Sequence, residues 1–249
     1  GFGNLFNDSI EELKNNFKIT SKIVFLLYFI PLILVSIFQV ILYINTGYFS
    51  TNIFNFEINA PHIISLFFNL FLGIFYILVT ASLVYFSLQK KKLRFNQIIN
   101  GGKNYFWLIF GLFILMGILV GLWSILFLIP GIIFAVYWSV SEYVLIDKKV
   151  GIWQSMKESK KLIKKNWWKV FGYTLLMGIF MAVISFVFSI PEGIYGSILK
   201  LGLVEGSLPS VIQLVCLEIF SLISSLAYFV IVPLTIFFYK NLYFGLKKK

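Results

Sequence analysis

His62 and Cys216 are each the only residue of their type in the chain, and this limits the chemistry the chain could do. A metal centre wants three or four His, Cys, Asp or Glu side chains within reach of one another. His62 stands beside Pro61 at the start of one apolar run, where it reads as an interface residue, and Cys216 lies inside another run. A single cysteine makes no internal disulfide and leaves the redox compartment undetermined. No glycine-rich phosphate loop precedes a lysine. The acidic trio Asp8, Glu11 and Glu12 reads as the opening of a helix, where carboxylates complement the N-terminal dipole. No catalytic residue, metal ligand or cofactor is expected, and the chain reads as non-enzymatic.

Polar residues within apolar runs are a better lead, because lipid makes them costly. Gln39, Asn69, Gln213 and Glu218 fall in the outer halves of their runs. They form a candidate polar pocket for a headgroup or an ion, with plain interhelical hydrogen bonding, or snorkelling to the outer interface, as the alternative. Glu142, near Asp147, is expected to pair with a cytoplasmic lysine. The densest charge lies in "KKVGIWQSMKESKKLIKKNWWKVFG", Lys148–Gly172, with eight lysines. At helical spacing, Ile152, Met156, Ile163 and Trp167 share one face, and Lys157, Lys161, Lys164 and Lys165 lie opposite. Such a helix can lie in a membrane interface, its lysine stems reaching to headgroups. Lys157, Lys160, Lys161, Lys164 and Lys165 are the candidate lipid headgroup contacts, with Met156, Ile163 and Trp167 expected to dip below them. The expected partner is membrane lipid, anionic on the cytoplasmic face.

The elements that must position these residues are membrane helices. Hydrophobic residues make up 59% of the chain and charged residues 12%, against about 25% charged in a soluble domain. So little charge cannot cover a water-facing surface. A span takes about 20 residues, and the runs give six: 23–44, 62–88, two within 105–146, then 168–190 and 210–239. The long run contains "GLWSILFLIPG", so a hairpin turn is expected between Gly121 and Gly131, with Pro130 near the first turn of the fourth helix. The last span is long enough to tilt, or to kink at Pro233. A membrane β-barrel would alternate apolar and polar residues, and these runs do not. The first 20 residues are polar and amphipathic, so no cleavable signal peptide is expected.

Basic residues fix the expected topology. The segment to Lys22 has three, residues 89–104 five, residues 147–169 eight and the C-terminal end four; only Lys200 lies elsewhere. Segments that hold 20 of 21 basic residues are expected to stay inside, which places both termini in the cytoplasm of a multi-pass cell-membrane protein. The net charge of +11 is then a property of one face. Nucleic acid is not an expected partner, because the aromatic residues lie mostly in the spans rather than along a soluble basic groove.

The basic segments also repeat. Phe6, Ile10, Leu13 and Phe17 are spaced 4, 3, 4, and Phe95, Ile99, Gly102 and Phe106 repeat that spacing 89 residues later. A third copy begins at Trp153 and ends in "KNWW". It is longer by about one helical turn. "IPGI" at Ile129–Ile132 and "IPEGI" at Ile190–Ile194 end corresponding runs. The expected fold is all-α: one integral membrane domain over residues 1–249. It would hold three units, each a cytoplasmic amphipathic helix plus a transmembrane hairpin, over about 4–92, 93–150 and 151–249. Gly101-Gly102 reads either as a break or as a close packing contact.

The stretch Ile129–Gly172 combines an Ile-Pro-Gly helix entry, the exit Asp147–Lys149, and a helix carrying Ser159, Leu162 and Lys165–Trp168. It resembles the YciC-like family of uncharacterised multi-pass membrane proteins. It is also similar to the membrane domain of some glycerophosphoryl diester phosphodiesterases, although the chain has no stretch of soluble catalytic-domain character. The resemblance implies a six-span prokaryotic-type membrane domain and supplies no functional residues. The expected role is non-enzymatic: association of the basic helices with anionic lipid, organising lipids or partner proteins. The alternative is a transporter or lipid-translocating protein that uses the outer polar cluster around Glu218.

Overall fold

The computed structural model describes residues 1–46, 60–89, 91, 93–202 and 209–248. Every regular element among them is helical. Six stretches are long and apolar enough to cross a membrane: Phe2–Thr46, Ala60–Leu88, Phe95–Ile125, Leu128–Lys148, Trp167–Leu199 and Val211–Lys247. Their outward side chains are large and apolar, Leu70 being 71% exposed and Ile125 83%. An exposed apolar surface on this scale is stable facing acyl chains rather than water.

The first stretch joins α1 (Phe2–Val24) to α2 (Ile30–Thr46) through a π-helical segment, Phe25–Phe29. Pro31 follows at once. It has no N–H to bond the carbonyl four residues back, and the wider turn before it absorbs that mismatch. α3 is Ala60–Leu88. The expected hairpin is a single extended residue, Phe127, between α4 (Phe95–Leu126) and α5 (Leu128–Trp138). Pro130 sits in the first turn of α5, where no backbone donor is needed. Gly131 lets the two helices close: a Cβ there would lie 2.1 Å from Ser124 Oγ. The fourth span is itself broken at Ser139–Val140 before α6 (Ser141–Lys148). After α7 (Ile152–Lys164), α8 runs from Trp167 to Gly202 straight through Pro191. The two Ile-Pro motifs therefore do different jobs, one opening a helix and one lying inside a helix. α9 (Val211–Ser224) passes through a 3₁₀ turn, Ser225–Ala227, into α10 (Tyr228–Lys247). Pro233, where a kink was expected, lies inside α10, and the irregular turn precedes it by six to eight residues.

Two compact units form. Unit 1 is Gly1–Ile23, Ile77–Met181 and Val230–Lys249; unit 2 is Val24–Tyr76 and Ala182–Phe229. Their limits do not follow the repeat boundaries. Unit 1 holds 20 of the 21 basic residues and six of the ten acidic ones, a net charge of +14; unit 2 holds only Lys200 against four carboxylates.

In unit 1 the core is Leu13, Met177, Leu234, Phe237 and Phe238, with Phe2, Phe6 and Ile10 packed on it. The apolar face of α1 is thus covered by protein, while Phe17 stays 45% exposed. The acidic trio does not open α1, because the helix begins six residues earlier. Glu12 instead pairs with Lys240 of α10. Asn241 Nδ2 donates to Ser9 Oγ (3.1 Å), and Tyr143 Oη donates to the Ile236 carbonyl (2.9 Å). Gly102 proves to be a packing contact: a Cβ there would lie 2.7 Å from Ser82 Cα, so the backbones of α3 and α4 approach closely at that point.

In unit 2, α2 packs on α9, and Tyr43 Oη donates to the Pro209 carbonyl. Phe38 stacks on Phe68 with centroids 3.9 Å apart.

Candidate functional site

α7 begins after a tight reversal. Lys149 caps α6 in the left-handed conformation (φ 52°), and its successor's N–H reaches back to the Leu145 carbonyl (3.3 Å). The helix then turns Ser155, Met156, Ser159 and Ile163 inward, all buried. Ser159 Oγ donates to the Tyr137 carbonyl (2.7 Å) and so ties α7 to α5. The apolar face of this helix is therefore packed on α4, α5 and α6, not dipped into lipid as the sequence suggested. Amphipathic spacing shows that one face is covered but not what covers it.

Lys157, Lys160, Lys161, Lys164 and Lys165 are all exposed, as the sequence expected of a solvated or headgroup-facing edge. Their partners differ. Glu158 accepts from Lys161 (2.7 Å) and Lys148 (3.0 Å), and these two ammonium groups hold its carboxyl below the usual range. Lys157 lies over the Trp153 ring (5.7 Å), and Lys160 over Phe134 (5.4 Å) and Tyr137 (5.5 Å). Among the described residues, Lys164 and Lys165 are in no ion pair and over no aromatic ring.

Those two lysines border a cavity of about 810 Å³. A two-residue turn at Lys165–Asn166, where Asn166 N–H bonds the Ile163 carbonyl (2.8 Å), separates α7 from α8, which starts at Trp167. Ile129, Ile132 and Ile133 of α5 make one apolar wall, with Trp167, Trp168 and Phe171 of α8 across from them. Trp167 stacks on Phe171 (5.2 Å, 5°) and directs Nε1 to the Ile133 carbonyl (3.4 Å), which fixes the two walls together. The polar lining is Lys164, Lys165, Asn166 and Lys169, beside the positive end of the α8 dipole. Trp168 is 78% exposed. The string "KKNWWK" was visible as sequence, but its pairing with isoleucines more than 30 residues earlier was not. Trp168 and Lys169 were missed as site residues for that reason.

The four residues of the expected outer pocket are differently placed. Gln213 closes a capping box: its Oε1 accepts from Ser210 N (2.8 Å) and Ser210 Oγ (3.1 Å). Asn69 is exposed and donates to the Ser65 carbonyl of its own helix (2.9 Å). Gln39 is half-buried on α2, one turn beyond Ser36. Glu218, on α9, has the Ser36 hydroxyl within hydrogen-bonding reach, and Glu192 of α8 is the nearby charge. The sequence singled out neither Ser36 nor Glu192. Glu142 is in no ion pair among the described residues; the lysines pair with Glu12, Asp147 and Glu158. It lies in the first turn of α6, beside Tyr143. Asp147 is taken by Lys247 (2.8 Å) and Tyr243 (2.6 Å).

Among the described residues, no three His, Cys, Asp or Glu side chains gather in a way that could hold a metal ion. No protein-family model, curated protein or solved structure matches the chain.

Proposed function

We propose that this is a non-enzymatic multi-pass protein of the cell membrane, with both termini cytoplasmic, whose lysine-rich helix α7 associates with anionic lipid and so organises lipids or partner proteins. The observation that carries the reading is the division of labour on α7. Its apolar side is anchored in unit 1, while five lysines stand exposed, and among the described residues only Lys161 of the five has a counter-charge, with Lys164 and Lys165 over no aromatic ring either. Each basic residue near an anionic surface contributes about 1 kcal/mol, screened by salt. The +14 charge of unit 1 supports the cytoplasmic orientation through the positive-inside rule. Membership of the YciC-like family is part of the same proposal and adds no biochemistry to it.

The test is thermal unfolding of the full chain in bicelles of phosphatidylglycerol or phosphatidylcholine. The reading expects a higher Tm with phosphatidylglycerol at 0.1 M salt, a gap that narrows toward 1 M as screening shortens from about 10 Å to 3 Å. Equal Tm values in the two lipids at low salt would refute it.

A second reading, lipid translocation through Glu218, draws on the Glu192 carboxylate near it. It expects scrambling of a fluorescent lipid in proteoliposomes that Glu218→Gln abolishes. Scrambling no faster than in protein-free vesicles would remove it.

A further inference from the structure

The cavity between α5 and the α7–α8 turn has the chemistry of a specific site rather than of a diffuse charged face. Its volume, about 810 Å³, lies within the roughly 300–1,000 Å³ typical of small-molecule sites. One wall is aliphatic, Ile129 and Ile132 both being exposed. The opposite wall is indole, and tryptophan settles where apolar chains meet headgroups. The polar lining carries three lysines and no carboxylate. Lys169 lies over the Tyr173 ring (5.5 Å), and Lys164 and Lys165 have no partner charge among the described residues. An occupant must therefore be anionic at one end and aliphatic at the other. Free phosphate would leave the isoleucine wall uncovered, and a neutral lipid would leave the lysines unpaired.

The geometry points to a binding site for one anionic glycerophospholipid: its phosphate between Lys164, Lys165 and Lys169, and the start of its acyl chains along Ile129 and Ile132. This rests on the reading that α7 meets anionic lipid, and names the lipid's seat. The rigid Trp167–Phe171 stack and the bond from Trp167 to Ile133 preform the seat, so binding orders little of the protein. Lys157 and Lys161, paired to Trp153 and Glu158, lie outside it and contribute only to the general field.

Native mass spectrometry of the full chain, released from neutral detergent with added short-chain phosphatidylglycerol or phosphatidylcholine, tests this. Wild type is expected to hold the first phosphatidylglycerol about ten-fold more tightly than phosphatidylcholine. Lys164→Gln/Lys165→Gln should reduce that preference to about two-fold or less. Lys157→Gln/Lys161→Gln should leave it within about two-fold of wild type. Ile132→Trp, which fills the apolar wall, should weaken phosphatidylglycerol binding without altering the lysines. If the preference survives Lys164→Gln/Lys165→Gln but falls with Lys157→Gln/Lys161→Gln, the seat is refuted and the general lipid reading stands. If wild type does not discriminate at all, the general reading fails as well. If glycerol 1-phosphate competes as strongly as the lipid, the ligand is a free phosphoester and the lipid assignment is overturned.

Discussion

Glu12 and Lys240, 228 residues apart, form an ion pair that joins α1 to α10 within unit 1. The Lys240 side chain is only 10% exposed, whereas Glu12 keeps 34% of its surface open. Glu12→Ala therefore leaves a nearly buried ammonium alone. The expected loss is about 1–3 kcal/mol, below that of a fully buried pair because Glu12 is part-solvated. Glu12→Gln/Lys240→Met should recover most of it. Tm values of the three variants in neutral detergent check this, and a Glu12→Ala protein as stable as wild type would contradict it.

Helix packing at two glycines gives a contrast. A methyl at Gly102 meets the Ser82 hydroxyl at 2.2 Å and, behind it, Ser82 Cα and N at 2.7 and 2.8 Å, so the α3 backbone itself must move even without the hydroxyl. Gly102→Ala is expected to cost about 1–3 kcal/mol, and Ser82→Ala should not rescue it. At Gly131 the closest atom is the Ser124 hydroxyl, with Cα at 3.1 Å. Gly131→Ala/Ser124→Ala should regain much of what Gly131→Ala loses. Rescue at both sites, or at neither, would show that the contacts do not set stability as described.

The Glu158 carboxyl sits below its usual range because Lys161 and Lys148 donate to it. A carboxylate lowered in the folded state stabilises above its unfolded pKa, and that contribution is lost as pH falls through the folded one. Wild-type Tm should thus decline from about pH 4.5 downward more steeply than that of Glu158→Gln. The effect is small, since the pair is at the surface. Parallel declines would show that the pairing adds nothing.

Much of this architecture was legible in the sequence, for physical reasons. Apolar runs about one bilayer long announced the six stretches able to cross a membrane, and Pro130, favoured in a first helical turn, announced the hairpin near Phe127. What covers a face did not. Phe6, Ile10 and Leu13 announce a buried stripe, but nothing local says that Phe238 rather than lipid buries it. Gly101-Gly102 stayed ambiguous for the same reason: its partner Ser82 is 20 residues away. Glu192 appeared only within the Ile190–Ile194 string that ends an apolar run, and its place near Glu218 needed α8 to continue through Pro191. The lysines were seen and their seat was not, because Ile129–Ile133 belongs to a different helix.

Topology has its own check. Gln154→Cys, exposed on α7, in a Cys216→Ser background should react with an impermeant maleimide only after the cells are opened. Labelling in intact cells would overturn the cytoplasmic assignment of the +14 face.

The most direct measurement is the lipid that stays with the protein. Gentle extraction from the membrane into neutral detergent, exhaustive washing, and phospholipid analysis of the purified chain compares retained lipid with bulk. The account predicts retained lipid enriched several-fold in anionic phospholipid, with the enrichment lost in Lys164→Gln/Lys165→Gln. Retained lipid with the composition of the bulk membrane in wild type would contradict it.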